Sequence, residues 1–149
     1  MKGIKKLALL AAFVAGIASI NLIAPAPQAD AAACTAYTYR NGSRATCVRY
    51  IQTMLNTCAK HIGNCYYNVY PNGSQIAVDG AYGRITTERV RVFQNYHGLG
   101  RLAVDGIVGP KTWAQLCDSM RFGAQSWIYN SYYSWRQGVN AARAAGCAI

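Results

Sequence analysis

The chain is predicted to be mainly α: a small bundle of three short helices, with disulfide-tied loops and an aromatic C-terminal extension. Three observations predict it. A loop unit occurs twice and is built to launch a helix each time. Three segments repeat apolar residues at helical spacing. Six cysteines are spread along a chain of 149 residues.

The loop unit reads Ala77-Val78-Asp79-Gly80-Ala81-Tyr82-Gly83-Arg84-Ile85-Thr86 and, at a constant offset, Ala103-Val104-Asp105-Gly106-Ile107-Val108-Gly109-Pro110-Lys111-Thr112. It is an internal repeat of Val-Asp-Gly-x-x-Gly-x-x-Thr. Val78 and Val104 are expected to be apolar anchors. Asp79-Gly80 and Asp105-Gly106 are turn chemistry: the carboxylate accepts backbone N–H groups and glycine tolerates positive φ. Gly83 and Gly109 fall at helix N-cap positions, and Pro110 then occupies the first helical position, where its missing N–H costs nothing. Both aspartates sit near a positive helix N-terminus.

The first helix is expected from about Ala45 to Ala59, with Val48, Ile51 and Leu55 on its apolar face and Ser43 or Thr46 as cap. The second carries Val90, Phe93 and His97 and stops at Gly98. The third carries Trp113, Leu116 and Cys117. All are short, so their stripes must be buried against one another.

This ordered series resembles the bacterial peptidoglycan-binding domain, a three-helix module appended to cell-wall hydrolases. Val48, Ile51, Gln52 and Leu55 match its first helix. Asp79, Gly80, Tyr82, Gly83, Thr86, Val90, Phe93 and Gln94 match its second block. Gly98, Leu99, Asp105, Gly106, Val108, Gly109, Thr112, Trp113 and Leu116 match its third. The resemblance covers roughly 42–117. Tyr82 stands where the family usually has Phe, Thr87 where Glu is common, and the tail after Cys117 is not part of the pattern.

Met1 to Ala33 reads as a secretory signal peptide: Lys2, Lys5 and Lys6 precede an apolar run to Ala24, then Pro25, Pro27 and small-residue cleavage sites. The alternative is an uncleaved anchor. The remaining divisions are a lead-in over 34–43, a peptidoglycan-binding-like domain over 44–118, and the extension over 119–149. No stable membrane span is expected after processing.

The full chain carries 15 Lys and Arg against 5 Asp and Glu, a formal charge of +10. Without Lys2, Lys5, Lys6 and Asp30 the net charge is +8. Such a surface attracts polyanions and carboxylate-rich targets; export argues against nucleic acid, leaving wall peptides and anionic wall polymers. An even number of cysteines in a short exported chain points to disulfides. Fifteen pairings are possible. Cys47 with Cys58 is excluded, because two positions on one helix would lie about 16 Å apart at 1.5 Å rise per residue. The working scheme is Cys34–Cys47, Cys58–Cys65 and Cys117–Cys147. His61 and Cys65 have metal-ligand chemistry but lack a CxxC pair or a second nearby histidine, so neither metal nor cofactor is expected.

The tyrosines at 66, 67 and 70 fall in a loop or short extended segment. In the tail, Trp127, Tyr129, Tyr133 and Trp135 follow period two, suggesting extended chain with a hairpin near Asn130-Ser131. Val139 to Ala145 suggests a short helix. The aromatic tail reads equally as a second glycan-contacting surface or as a lid over the helices.

Nothing in the sequence assembles a catalytic set. Asp79 and Asp105 belong to loops, Glu88 to a helix surface, and Asp118 to a helix end. There is no HExxH, no serine elbow, and no Cys–His pair free of disulfide use. The resemblance implies a secreted, wall-associated, non-catalytic, monomeric protein that binds the stem peptide and glycan of peptidoglycan. Tyr82, Arg84, Arg91, Asn95 and Tyr96 are the candidate contacts, chosen by residue type and expected exposure. The alternative is a cationic, disulfide-rich exported effector, either antimicrobial or a hydrolase inhibitor.

Overall fold

Among the described residues the chain forms four helices, α1 (Thr46–Lys60), α2 (Arg84–His97), α3 (Pro110–Gln125) and α4 (Tyr133–Ala145), preceded by a 3-10 turn at Cys34–Ala36. The computed structural model describes residues 33–60, 75–97, 100–125 and 133–149. Among them there is no strand; only two isolated β-bridges occur. The expected signal segment, the tyrosines at 66, 67 and 70, and Trp127, Tyr129 and the turn near Asn130 lie outside the described residues.

The helical periodicity is real. Val48, Ile51 and Leu55 of α1, Val90 and Phe93 of α2, and Trp113 and Leu116 of α3 are all buried in one core. Met54, Cys58 and Met120 extend the same stripes. Residues 32–149 cluster as one unit, with α1 at its centre, packed on α4 most extensively and on α2 and α3 as well.

The tail corrects the period-two reading. Tyr133 and Trp135 belong to α4, not to a strand. What packs in α4 is Trp135, Val139, Ala142 and Ala145, all buried, a spacing of three, four and seven residues that only a helix puts on one face. Alternating aromatics masked that pattern, because the rest of the face is alanine, a strong helix former that gives little hydrophobic signal. Gly138 lets α4 lie close to α1: a Cβ there would meet Thr57 Oγ1 at 2.4 Å. The extension is therefore a fourth core helix. α3 also runs on to Gln125, through the division expected at 118.

Disulfides fix both ends. Cys34 is bonded to Cys47, Cα atoms 5.5 Å apart, tying the first turn to α1. Cys117 is bonded to Cys147, Cα atoms 5.4 Å apart, tying α3 to the chain just beyond α4. Cys58 is disulfide-bonded too; its expected partner Cys65 lies outside the described residues.

Candidate functional site

The two elbows fold alike, and a glutamine organises each. In the first, Gln52 Nε2 of α1 donates to Asp79 Oδ1 at 2.9 Å, to the Ala81 carbonyl at 3.1 Å and towards Thr86 Oγ1 at 3.2 Å. Gly80 N–H donates back to Gln52 Oε1 at 3.0 Å. In the second, Gln94 Nε2 of α2 reaches Asp105 Oδ1, the Ile107 carbonyl and Thr112 Oγ1 at 2.9, 2.9 and 3.2 Å. Gly106 N–H donates to Gln94 Oε1 at 2.9 Å. Each aspartate also accepts the backbone N–H two residues on, at 2.9 Å. The glycines hold φ of 77° and 75°, where a side chain is strained. α1 thus clamps the loop that launches α2, and α2 the loop that launches α3.

The same elbows are stitched to the lead-in. Tyr39 and Val108 exchange backbone hydrogen bonds at 3.0 and 2.9 Å, while Gly42 N–H donates to Tyr82 O and Tyr82 N–H to Ser43 O, both at 2.9 Å. Ser43 serves this turn, its Oγ accepting Arg40 N–H at 3.1 Å. Gly83 and Gly109 precede the first residues of α2 and α3; their carbonyls accept the N–H groups of Thr87 and Trp113 at 3.0 and 2.9 Å. Val78 and Val104 are not anchors; they are 43% and 50% exposed. The buried apolar partners of the elbows are Tyr82 and Val108 instead.

Tyr82 is the largest correction among the candidate contacts. It is 1% exposed, and its hydroxyl donates to the Gly106 carbonyl at 2.8 Å, joining one elbow to the other. Burial, with the nearby Asp105 charge, pushes its pKa far above the ordinary value. Tyr82 cannot face a ligand. Trp113 is core as well, its indole N–H donating to Tyr37 O at 3.0 Å and its ring meeting Tyr39 edge-on.

Arg84 and Arg91 do come together. They line a cleft of about 460 Å³ with Arg40, Thr87, Glu88 and Asp105. Arg84 pairs with Glu88 at 2.9 Å, an exposed pair worth little. Arg40 and Arg91 are exposed and make no ion pair among the described residues. Asp105 spends Oδ1 on the elbow and turns towards this cleft. Arg40 escaped the sequence reading, because the lead-in gives no local sign that it folds back over α2. Asn95 and Tyr96 are exposed further along α2 and do not line the cleft. The side chain of His97 lies outside the described residues.

Asp79 is held below the usual carboxylate range. Its hydrogen bond from Ala81 N–H is the main cause, and that from Gln52 the next. No three His, Cys, Asp or Glu side chains converge among the described residues. None of the described helices is long and apolar enough to cross a membrane.

Two equivalent elbows, each locked by Asp, Gly, Thr and a glutamine from the preceding helix, define a recurring module. Residues 46–116 match the family model described as "Putative peptidoglycan binding domain". Over that segment the chain is similar to this family. No curated protein and no solved structure matches the chain. The match covers α1, α2 and the start of α3; the lead-in with Arg40, the end of α3 and the whole of α4 lie beyond it.

Proposed function

We propose that the chain is an exported, non-catalytic protein that binds peptidoglycan, and that the Arg40–Arg84–Arg91 cleft holds the carboxylates of the stem peptide. The observation that carries this is the cleft itself: three guanidinium groups, two of them without an ion-pair partner among the described residues, at the edge of the segment that matches the peptidoglycan-binding family. Guanidinium forks match carboxylates bidentately. Glu88 and Asp105 on the same rim suit an ammonium or amide group beside the carboxylate. The helices and elbows beneath are fixed by buried hydrogen bonds, so the arginines are presented on a rigid base.

Export is supported by the Met1 to Ala33 pattern and by disulfides that persist in oxidising compartments. Anionic wall polymers are secondary partners, drawn by the net positive charge.

The test is a pull-down of the disulfide-bonded protein on purified wall sacculi, with and without wall polymers, across a salt series. Retention at high salt, weakened in Arg40→Ala/Arg91→Ala, is the expected result. Loss of all binding at moderate salt would leave charge alone as the cause and favour the cationic-effector reading. Release of soluble fragments would make the protein an enzyme.

A further inference from the structure

A second cleft, of about 650 Å³, opens between α1, the segment 75–78 and α4. One wall of it comes from a helix that the family domain does not include. Five of its polar side chains, Arg49, Tyr50, Gln75, Gln137 and Asn140, form no hydrogen bond or ion pair among the described residues. The other polar groups are committed. Asn56 is buried, with Nδ2 donating to Ile76 O and Oδ1 accepting from Ile76 N–H, both at 2.8 Å. Thr53 and Thr57 hydroxyls donate to carbonyls one turn back on α1.

The lining selects a ligand. Among the described residues it contains one cation and no carboxylate, so neither a polyanion nor a cation is matched. Its free groups are three side-chain amides, a phenol and a guanidinium, which together donate and accept, as hydroxyl and acetamido groups require. Ala141, Ala144 and Ile76 supply apolar surface, and the half-buried Tyr50 offers part of a ring. A peptide adding as a strand would need free backbone on the segment 75–78, but Asn56 occupies both the N–H and the C=O of Ile76. The volume is that of a site for a ligand of drug or disaccharide size.

We propose that this cleft is a second binding site, for a short stretch of N-acetylated amino-sugar chain. It is independent of the arginine cleft and rests on the wall-binding reading only for where such a sugar would be met. In a wall-bound complex α4 would grip the glycan while α2 held the peptide.

The test is titration of the isotope-labelled, disulfide-bonded chain with an N-acetylglucosamine oligosaccharide, which carries no carboxylate and no peptide. The side-chain amides of Gln75, Gln137 and Asn140 are expected to shift and saturate. Two variants act from exposed positions on α4 and leave the core intact: Gln137→Ala/Asn140→Ala removes partners, and Ala144→Trp fills the cleft. Each is expected to weaken the sugar about tenfold or more, the effect of losing one or two neutral hydrogen bonds. Unmoved amide resonances at saturating sugar, or unchanged affinity in Ala144→Trp, would overturn the site. An equal response to a cello-oligosaccharide would overturn the acetamido assignment, and a response to stem peptide instead would reassign the cleft. Failure of the arginine-cleft reading would show separately, as undiminished sacculus binding by Arg40→Ala/Arg91→Ala.

Discussion

Gln94 Nε2 stands 2.9 Å from Asp105 Oδ1, and Gln52 repeats that relation to Asp79 at the same distance. Both glutamines are buried, 1% and 2% exposed, and each closes an elbow from the helix before it. Replacing Gln94 by Leu keeps the volume but strips Gly106 N–H of its partner and leaves the Ile107 carbonyl with the Thr112 hydroxyl alone. Leaving a buried group unpaired should cost about 1–3 kcal/mol. Urea unfolding of Gln94→Leu and Gln52→Leu should show similar losses, since the two networks are alike. A loss below 1 kcal/mol in either (about the net worth of one hydrogen bond) would mean that its elbow is held by something else.

Tyr82 gives a second expectation. Its hydroxyl adds one bond, to the Gly106 carbonyl, to a ring that is otherwise core. Tyr82→Phe should therefore cost only about 0.5–1.5 kcal/mol at neutral pH. Burial raises the phenol pKa in the folded state, so the folded chain keeps its proton where the unfolded chain loses it. The contribution is full below the ordinary value of about 10 and declines as pH rises above it. Stability curves taken from pH 8 upwards should show a shallower alkaline decline in Tyr82→Phe than in the parent.

How much of this was legible follows from the range of each interaction. The elbows could be read because Asp-Gly turns, N-cap glycines and Pro110 act within a few residues of themselves. The glutamines matched the family pattern, yet their role was hidden: Gln52 meets a carboxylate 27 residues away. Tyr82 misled because an amphipathic ring fits a surface or a core equally well. Val78 and Val104 misled because apolar character suggests burial, while the elbow leaves them exposed. Arg84 and Arg91, chosen by residue type and expected exposure, line one cleft on α2; Arg40 joins them only through tertiary folding of the lead-in. In α4 the aromatic alternation of Tyr133 and Trp135 outweighed an alanine stripe whose packing depends on Gly138.

Acid should loosen the first elbow. Ala81 N–H, and after it Gln52, favour the ionised form of Asp79 and lower its pKa on folding. Its contribution is present above the ordinary carboxylate range and is lost as pH falls through the folded value. Asp79→Asn retains an Oδ1 acceptor and cannot titrate. Thermal midpoints measured between pH 6 and pH 2 should therefore fall less steeply in Asp79→Asn. Parallel curves would show that Asp79 does not drive the acid decline.

Close approach of α1 and α4 sets a fourth expectation. A Cβ at Gly138 would stand 2.4 Å from Thr57 Oγ1 and 2.7 Å from Thr57 Cβ. The nearest atoms belong to a short, β-branched side chain, so relief requires α4 to move. Gly138→Ala should lower stability by about 1–3 kcal/mol through overpacking, despite the better helix propensity of alanine. A stabilised Gly138→Ala would mean that the helices separate at little cost.

The bond between Cys117 and Cys147 spans 30 residues and holds the far end of α4 against α3. By loop entropy, removing it with Cys117→Ala/Cys147→Ala should cost about 3–4 kcal/mol. The loss should not be uniform. The elbows are locked by hydrogen bonds from Gln52, Gln94, Tyr39, Gly42 and Ser43, whereas α4 is joined to the rest by the packing of Trp135, Val139 and a row of alanines. Hydrogen exchange should therefore rise first in α4 and in the α1 turns beneath it, while amides of the two elbows stay protected. If both cleft assignments hold, the oligosaccharide should lose affinity in this variant while sacculus retention through Arg40 and Arg91 persists. Uniform loss of protection would instead mean that α4 and the two elbows unfold as one cooperative unit.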